Sequence, residues 1–520
     1  MTMAQKAAIG VVSDAEHCEK VAGLSGDVTA GHAQDLLSSE DTDPVLNAKM
    51  ALVNDAIDEI GWTPYHMKLF FLNGFGYAVD SMMLLLQSVI ASHAFLEFGE
   101  IGYPASQTIA VYSGMFVGAI FWGLGADILG RKYAFNISLF FCSTATIVAG
   151  AAPNWYSLAV FVALIGFGAG GNLILDTTVF LEYLPGKKQW VLTFMACWWG
   201  LGIAINGFIA WGFLVPARWN CSLVDSCPRS SNMGWRYTMW TAGGVVFIMS
   251  VTRVTIIRLM ETPKYLLGAG EDAKLVQSLG AIASKYKRSC SLTLENLQAC
   301  GAIKGTQKKS KFSTARITVH LRGLFETKKI GTSTALVWLS WTIMGLAYPL
   351  FYVFLNSYLS SRGATNGITA YETWRNYTLT NISSIFGPML ASWMCEVSFL
   401  GRKYTMAIGA LITMAFLFAY TSVSTPTQNL GISCAIGFCL NIYYGTLYAY
   451  TPEVLPSSHR ATGNGIGVAF NRIMGIISAV VGTTANTSTT APLYICAGLF
   501  GALAIISALL PFEPYSRRSS

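Results

Sequence analysis

Three charged residues stand inside otherwise apolar stretches, and they set the chemistry to be explained. Asp80 lies in Asn73-Gly-Phe-Gly76-Tyr77-Ala-Val-Asp80-Ser81, Asp176 in Gly171-Asn172-Leu-Ile-Leu-Asp176-Thr177, and Arg472 in Phe470-Asn471-Arg472-Ile-Met. A charge at the centre of a membrane-spanning helix costs about 2.5–3.5 kcal/mol on insertion scales, so each of the three needs a wet cavity or a partner. A carboxyl in that setting is a natural proton carrier, which makes Asp80 first, and Asp176 second, a candidate proton-coupling or substrate residue. Arg472 offers a planar fork of donors that can hold a carboxylate bidentately, or it can pair with either acid.

A second set of charges recurs in register. Gly123-Leu-Gly-Ala-Asp127-Ile-Leu-Gly130-Arg131-Lys132 is echoed by Glu396-Val-Ser-Phe-Leu-Gly401-Arg402-Lys403. Likewise Glu182-Tyr-Leu-Pro185-Gly-Lys187-Lys188 is echoed by Glu453-Val-Leu-Pro456-Ser-Ser-His-Arg460. Two pairs in the same order point to an internal duplication. At helix ends, Asp127, Arg131, Glu182, Glu396, Arg402, Glu453 and Arg460 can pair between neighbouring elements. Exposed pairs contribute about 0–1 kcal/mol each, weak enough to break in every turn of a two-state cycle. They are the expected cytoplasmic gate.

Helices must position these residues. Of the 520 residues, 53% are apolar or aromatic and 12% are charged, against roughly a quarter charged in soluble domains. Apolar blocks of about 20 residues match a bilayer core of about 30 Å, and lipid leaves no partner for open backbone polar groups, so the blocks read as helices. Spans are expected at 65–92, 106–126, 134–152, 156–180, 190–214, 236–258, 331–357, 373–396, 404–424, 429–451, 461–484 and 489–511. The expected fold is an all-α polytopic membrane protein of twelve transmembrane helices in two six-helix pseudo-symmetric halves, 63–258 and 331–511. A largely disordered segment, 1–62, precedes them, a polar loop, 259–330, separates them, and 512–520 forms a tail. No cleavable signal peptide is visible near Met1, so the first span serves as the insertion signal.

Lys and Arg set the orientation. Arg131, Lys132, Lys187, Lys188, Arg402, Lys403 and Arg460 fall in even-numbered connections, as does the Lys-rich central loop. Both termini are therefore expected in the cytoplasm. The same topology puts Asn220-Cys-Ser and Asn486-Thr-Ser outside as candidate glycosylation sites, together with Cys221 and Cys227, which either form a short disulfide loop or remain two free thiols. The other cysteines of the eleven show no ligand spacing, and no metal site is expected. The net charge of +7 is scattered between apolar blocks and gives no nucleic-acid surface. Aromatics at Trp338, Trp341, Tyr348 and Tyr352 of span seven, with Tyr443, Tyr444 and Tyr448 of span ten, supply candidates for a cavity wall. The Gly166 and Gly170 spacing in span four reads as a close helix contact.

These motifs resemble the major facilitator superfamily, and within it the sugar-porter-like and synaptic-vesicle-glycoprotein-like transporters, in a branch associated with fungi. Gly-x3-Asp-x2-Gly-Arg-Lys at 123–132 resembles the superfamily signature. Glu453-x2-Pro456-x3-Arg460 and Glu261-Thr-Pro263-Lys264-Tyr-Leu266 resemble sugar-porter patterns after spans ten and six. In such relatives an Asp at a place similar to Asp80 is associated with proton coupling. The chain departs from them too: Val162 stands where many carry an Arg before the Gly-rich run, and span seven lacks a Gln-Gln pair. Hexose is therefore not the expected solute.

The expectation is a secondary active transporter, not an enzyme, working by alternating access in the plasma membrane without a cofactor. No Gly-x4-Gly-Lys-Ser/Thr phosphate loop is present. Its solute is expected to be a small organic acid or aromatic compound coupled to protons, and its other partner is membrane lipid around a monomer. A proton-driven exporter of a metabolite or toxin would use the same residues. A non-transporting membrane sensor is the alternative of another class.

Overall fold

The computed structural model describes residues 44–98, 104–129, 131–221, 227–255, 261–301, 321–361, 367–456, 459–484 and 489–515. Twelve long helices carry the fold: α1 (Pro64–Phe98), α2 (Pro104–Leu129), α3 (Arg131–Ala149), α4 (Trp155–Tyr183), α5 (Cys197–Leu214), α6 (Gly234–Thr255), α7 (Lys328–Ser361), α8 (Ala370–Glu396), α9 (Gly401–Tyr420), α10 (Pro426–Val454), α11 (Arg460–Thr484) and α12 (Ala491–Leu509). No strand occurs among the described residues. Each expected span falls on one of these helices. The largest differences are the longer C-terminal end of α1 and the start of α5, where a short helix, Trp190–Phe194, precedes a break before Cys197.

Local chemistry fixes several starts. Asn154 and Thr369 form reciprocal capping boxes with Ser157 and Glu372, and Thr425 caps α10 ahead of Pro426. Each satisfies backbone N–H groups that the helix itself leaves without a partner.

The helix contacts repeat with a shift of six. The pairs α1/α5, α2/α4, α3/α4 and α3/α6 recur as α7/α11, α8/α10, α9/α10 and α9/α12. The two broad contacts between halves, α2/α11 and α5/α8, exchange under the same shift. The duplication read from the motifs is thus a property of the packing as well.

Among the described residues, seven of the helices qualify as membrane spans by length and hydropathy alone. Van der Waals contact drives helix association in lipid, and small residues permit it. At the α2/α4 crossing, a Cβ on Gly114 or Gly118 would strike the carbonyls of Ala163 or Phe167, and one on Gly166 or Gly170 those of Val111 or Met115. Two interlocked small-residue stripes therefore bring these backbones together. Gly114→Ala should force them apart at a cost of about 1–3 kcal/mol. Thermal melting of the detergent-solubilised protein measures this, and an unchanged melting temperature would show that the crossing tolerates a methyl.

Buried ion pairs tie the polar helices in. Arg236 of α6 donates to Glu97 at 2.8 and 3.2 Å and to the Ala152 carbonyl at 3.0 Å. Nearby, Asn232 bonds the His93 carbonyl, and Cys221 and Cys227 are disulfide-bonded with Cα atoms 5.6 Å apart. The Asn220 side-chain nitrogen donates to the carbonyls of Phe213 and Pro216. Asn486 lies outside the described residues.

At the opposite end, which carries the Gly-Arg-Lys motifs, helix Pro44–Ile60 packs with three helices of the central loop, Pro263–Gly268, Asp272–Lys285 and Leu294–Ala299, in an apolar core continuous with that of the long helices. Lys49 pairs with Asp272 at 2.7 Å, and Asp58 accepts the Gly186 N–H. Partial burial works against the charge on Glu59, but hydrogen bonds from Ser291 outweigh it and hold the carboxyl below its usual range. Residues 44–60, expected within a disordered segment, are therefore helical, because Val45, Val53, Ile57 and Ile60 find an apolar partner in the loop.

Candidate functional site

Between the halves lies a crevice with a cavity volume of about 50 Å³. Asp80 and Ser81 of α1, Tyr112 of α2 and Trp199 of α5 line one side. Tyr348 of α7, Asn381 of α8, Asn441, Tyr444 and Tyr448 of α10, and Asn471 and Arg472 of α11 line the other. The position and facing of Asp80 follow from how α1 sits between α4 and α5. Gly202 of α5 is the reason for that closeness, since a Cβ there would meet the Ala78 carbonyl and the Ser81 hydroxyl.

Asp80 and Arg472 are 4% and 2% exposed. Asp80 Oδ1 and Arg472 Nε have no hydrogen-bond partner among the described residues, and no direct ion pair joins the two side chains. The crevice therefore presents an anion on one half and a cation on the other, close enough to feel each other's field but not in contact. Arg472 is held at this depth by its neighbour: Asn471 donates to the Trp341 carbonyl at 3.2 Å, where Gly345 lets α7 touch α11.

Aromatic rings close the crevice toward the motif end. Trp199 packs on Tyr448 with centroids 4.3 Å apart and on Tyr77 at 5.2 Å, and Trp341 packs on Tyr448 at 4.4 Å. Tyr77 and Trp199 belong to one half, Trp341 and Tyr448 to the other. Of the aromatics singled out in the sequence, Tyr348, Tyr352, Tyr444 and Tyr448 line the space. Trp338, Trp341 and Tyr443 do not. Trp338 bonds the Gly463 carbonyl beside Phe325 and Phe470, and Trp341 supports Tyr448 from behind while bonding Thr451. Tyr443 is fully buried where α9 meets α10.

Asp176 also lies off the crevice. Its Oδ1 is 2.5 Å from Arg253 of α6, both residues are buried, and its Oδ2 rests against α1 at Gly76, one helical turn from Asp80. Arg253 is a residue the sequence reading passed over, although an Arg within span six was itself a signal for a buried acid partner.

The motif charges divide. Arg402 grips Glu453 at 2.5 and 2.6 Å in a buried pair between α9 and α10, within one half, and Glu513 accepts the backbone N–H groups of Arg402 and Lys403. Arg460 is fully buried and bonds the Leu455 carbonyl, Glu182 is buried beside Lys264, and Glu396 is exposed. The side chains of Asp127, Arg131 and Lys132 lie outside the described residues. At this end the halves meet through the helix Trp190–Phe194 against α8 and α10.

Comparison with known proteins agrees with this architecture. The family model of the Major Facilitator Superfamily matches residues 69–479, with a second match at 376–520. The chain is 39% identical over 496 residues to "MFS siderochrome iron transporter 1" of Ceriporiopsis subvermispora, covering 93% of this chain and 94% of that protein. It is 25% identical over 426 residues to the "Niacin transporter NiaP" of Acinetobacter baylyi, covering 81% and 87%. Among solved structures it is similar to the proton:xylose symporter XylE bound to 6-bromo-6-deoxy-D-glucose, with a TM-score of 0.60 at 13% identity, covering 88% of this chain and 98% of that one.

Proposed function

Because the chain belongs to the major facilitator superfamily, whose members carry small solutes across membranes and are not enzymes, we propose that it moves a small organic carboxylate together with one proton. The carrying observation is the crevice that holds Asp80 and Arg472 apart on opposite halves. Their charges balance in the empty carrier. An anionic solute on Arg472 would leave a net negative charge in a low-dielectric cleft, which is costly. Protonation of Asp80 restores neutrality, so proton and carboxylate are favoured together and crossing is discouraged with either alone. The tyrosines of α7 and α10 provide flat apolar faces with hydroxyl tips, suited to a ring or short chain. Likeness to a niacin transporter, whose solute is an aromatic carboxylate, supports the same class.

In this reading the motif end and both termini face the cytoplasm, the membrane is the plasma membrane, and the aromatic layer with the Trp190–Phe194 contact forms the inner closure. Asp176 belongs to a structural pair with Arg253. Arg402–Glu453 holds the second half rigid, so that Arg460 and Glu182 move with their own halves. The direction is uptake down the proton gradient, with export by exchange as the alternative.

Uptake of labelled niacin and benzoate into proteoliposomes under an imposed pH gradient tests this. Arg472→Leu should weaken apparent affinity for the carboxylate about 10- to 150-fold, the equivalent of a charge-assisted bond of about 1.5–3 kcal/mol. Saturable transport of an iron siderochrome that no small carboxylate inhibits would refute the proposal in favour of the solute named for the fungal relative.

A further inference from the structure

The polar groups of the crevice are unevenly committed. Asn381 donates its side-chain N–H to the Tyr377 carbonyl at 2.8 Å, Asn441 to the Gly437 carbonyl at 2.8 Å, and Asn471 to the Trp341 carbonyl at 3.2 Å. A carbonyl can only accept, so it must be the amide nitrogen that faces it, and the orientation of each amide is thereby fixed. Each Oδ1 then points the other way as an acceptor, with Asn471 also in hydrogen-bond contact with the Tyr444 side chain.

The hydroxyls repeat the pattern. Ser81 donates to the carbonyls of Ala78 and Trp199, each at 3.0 Å, and Ser384 donates to the Thr380 carbonyl at 3.1 Å. Both serines line the crevice with their protons already spent and their lone pairs left over. The backbone adds to this. Pro349 of α7 and Pro388 of α8 lie inside their helices, and each lacks the N–H that would satisfy the carbonyl four residues before it. Those carbonyls belong to Gly345 and Ser384, which also line the crevice.

Apart from Arg472 and the rotatable tyrosine hydroxyls, the wall built by α7, α8, α10 and α11 therefore offers acceptors. A solute that enters displaces whatever serves these acceptors in the empty crevice, so one that brings its own donors keeps them satisfied and one without donors leaves them unpaired.

We infer that the crevice selects carboxylates that also carry an O–H or N–H donor, the carboxylate on Arg472 and the donor on the amide oxygens of Asn381, Asn441 and Asn471. This rests on the carboxylate reading above and narrows it. A hydroxylated or N–H-bearing aromatic acid fits; a plain or O-alkylated one leaves the acceptors dry and unpaired. Sites built to hydrogen-bond a solute reject analogues lacking that group far more strongly than apolar pockets reject a change of size.

The test is calorimetric titration of the purified full-length protein with benzoate, the three hydroxybenzoates and their methoxy counterparts. One hydroxybenzoate should bind at least about tenfold more tightly than benzoate, the equivalent of one well-made hydrogen bond, and its methyl ether should lose that advantage while keeping the bulk. In Asn381→Leu, Asn441→Leu or Asn471→Leu, the hydroxyl-to-hydrogen affinity ratio should fall toward one for at least one variant. Equal binding of benzoate and every hydroxybenzoate to the wild-type protein overturns the donor requirement while leaving the carboxylate site standing. A preference that survives in all three variants overturns the assignment to the asparagines. Binding of no carboxylate at all removes the carboxylate reading, and this inference with it. The comparison of hydroxy with methoxy ligands uses wild-type protein alone, so it decides the matter even where a variant fails to fold.

Discussion

Asp80→Asn should flatten accumulation to the passive level while exchange of solute across the membrane continues. Each pH unit is worth about 1.36 kcal/mol per proton, so electroneutral entry of one proton with one carboxylate concentrates the solute up to about tenfold per unit of gradient. Asparagine has nearly the shape of aspartate but never carries the charge. With it, the loaded carrier is neutral without a proton: the cation of Arg472 and the solute's anion balance alone. Binding loses its link to pH, and the accumulation ratio falls from about ten toward one at a gradient of one unit. Counterflow separates this from simple misfolding, since an Asn variant that still exchanges labelled for unlabelled solute is folded and cycling. Accumulation that survives intact in the variant would move the proton to another group and end the role assigned to Asp80.

The larger effect on stability should come from Arg253→Leu. Arg253 and Asp176 are 3% and 0% exposed, in direct contact beneath α1. Removing one member of such a pair leaves an uncompensated charge where water cannot reach, at a cost of about 3–5 kcal/mol. Asp176 cannot swing away to solvent, because its second oxygen already rests against α1 at Gly76. The double variant Asp176→Leu/Arg253→Leu replaces the pair by apolar volume and should recover much of the loss, since the penalty in the single variant belongs to the orphaned acid and not to the missing bond. Melting of the solubilised protein, read for both singles and the double, gives the coupling directly. Additive losses would mean that the two charges do not support each other and that some other contact of Arg253 carries its contribution. The result bears on function because the pair sits one helical turn along α1 from Asp80. A shift of α1 there would re-aim the carboxyl in the crevice, and transport should fall before the fold does.

Much of this protein was legible in its sequence, and the physical reason is that the legible features are local. The length of an apolar run decides whether it crosses lipid, and the twelve expected spans coincide with twelve helices. The repeat of acid, Gly-Arg-Lys and Glu-x2-Pro marks duplication wherever the helices lie, and the contacts repeat with the same shift of six. A charge inside an apolar run is conspicuous from composition alone, which is how Asp80 and Arg472 came forward.

Which way each side chain faces was not legible. In a soluble helix the apolar stripe marks the buried face, but lipid is as apolar as the interior, so the membrane helices are apolar all round and the pattern carries no rotational information. Hence Trp341 and Tyr348, on the same helix, divide between support and lining, and Tyr443 and its neighbour Tyr444 part company. Asp176 looked like a twin of Asp80 and proves to be the partner of Arg253. The asparagines at 381, 441 and 471 were unremarked among other polar residues in the spans, because an amide shows its acceptor only once a particular carbonyl has taken its N–H. The sequence determined how many helices cross the membrane, how they are duplicated and which charges are expensive. Only the close packing of glycines, Gly76 against the Asp176 carboxylate and Gly202 and Gly345 against neighbouring backbone, decided how the helices are turned, and so which of those charges meet in one crevice.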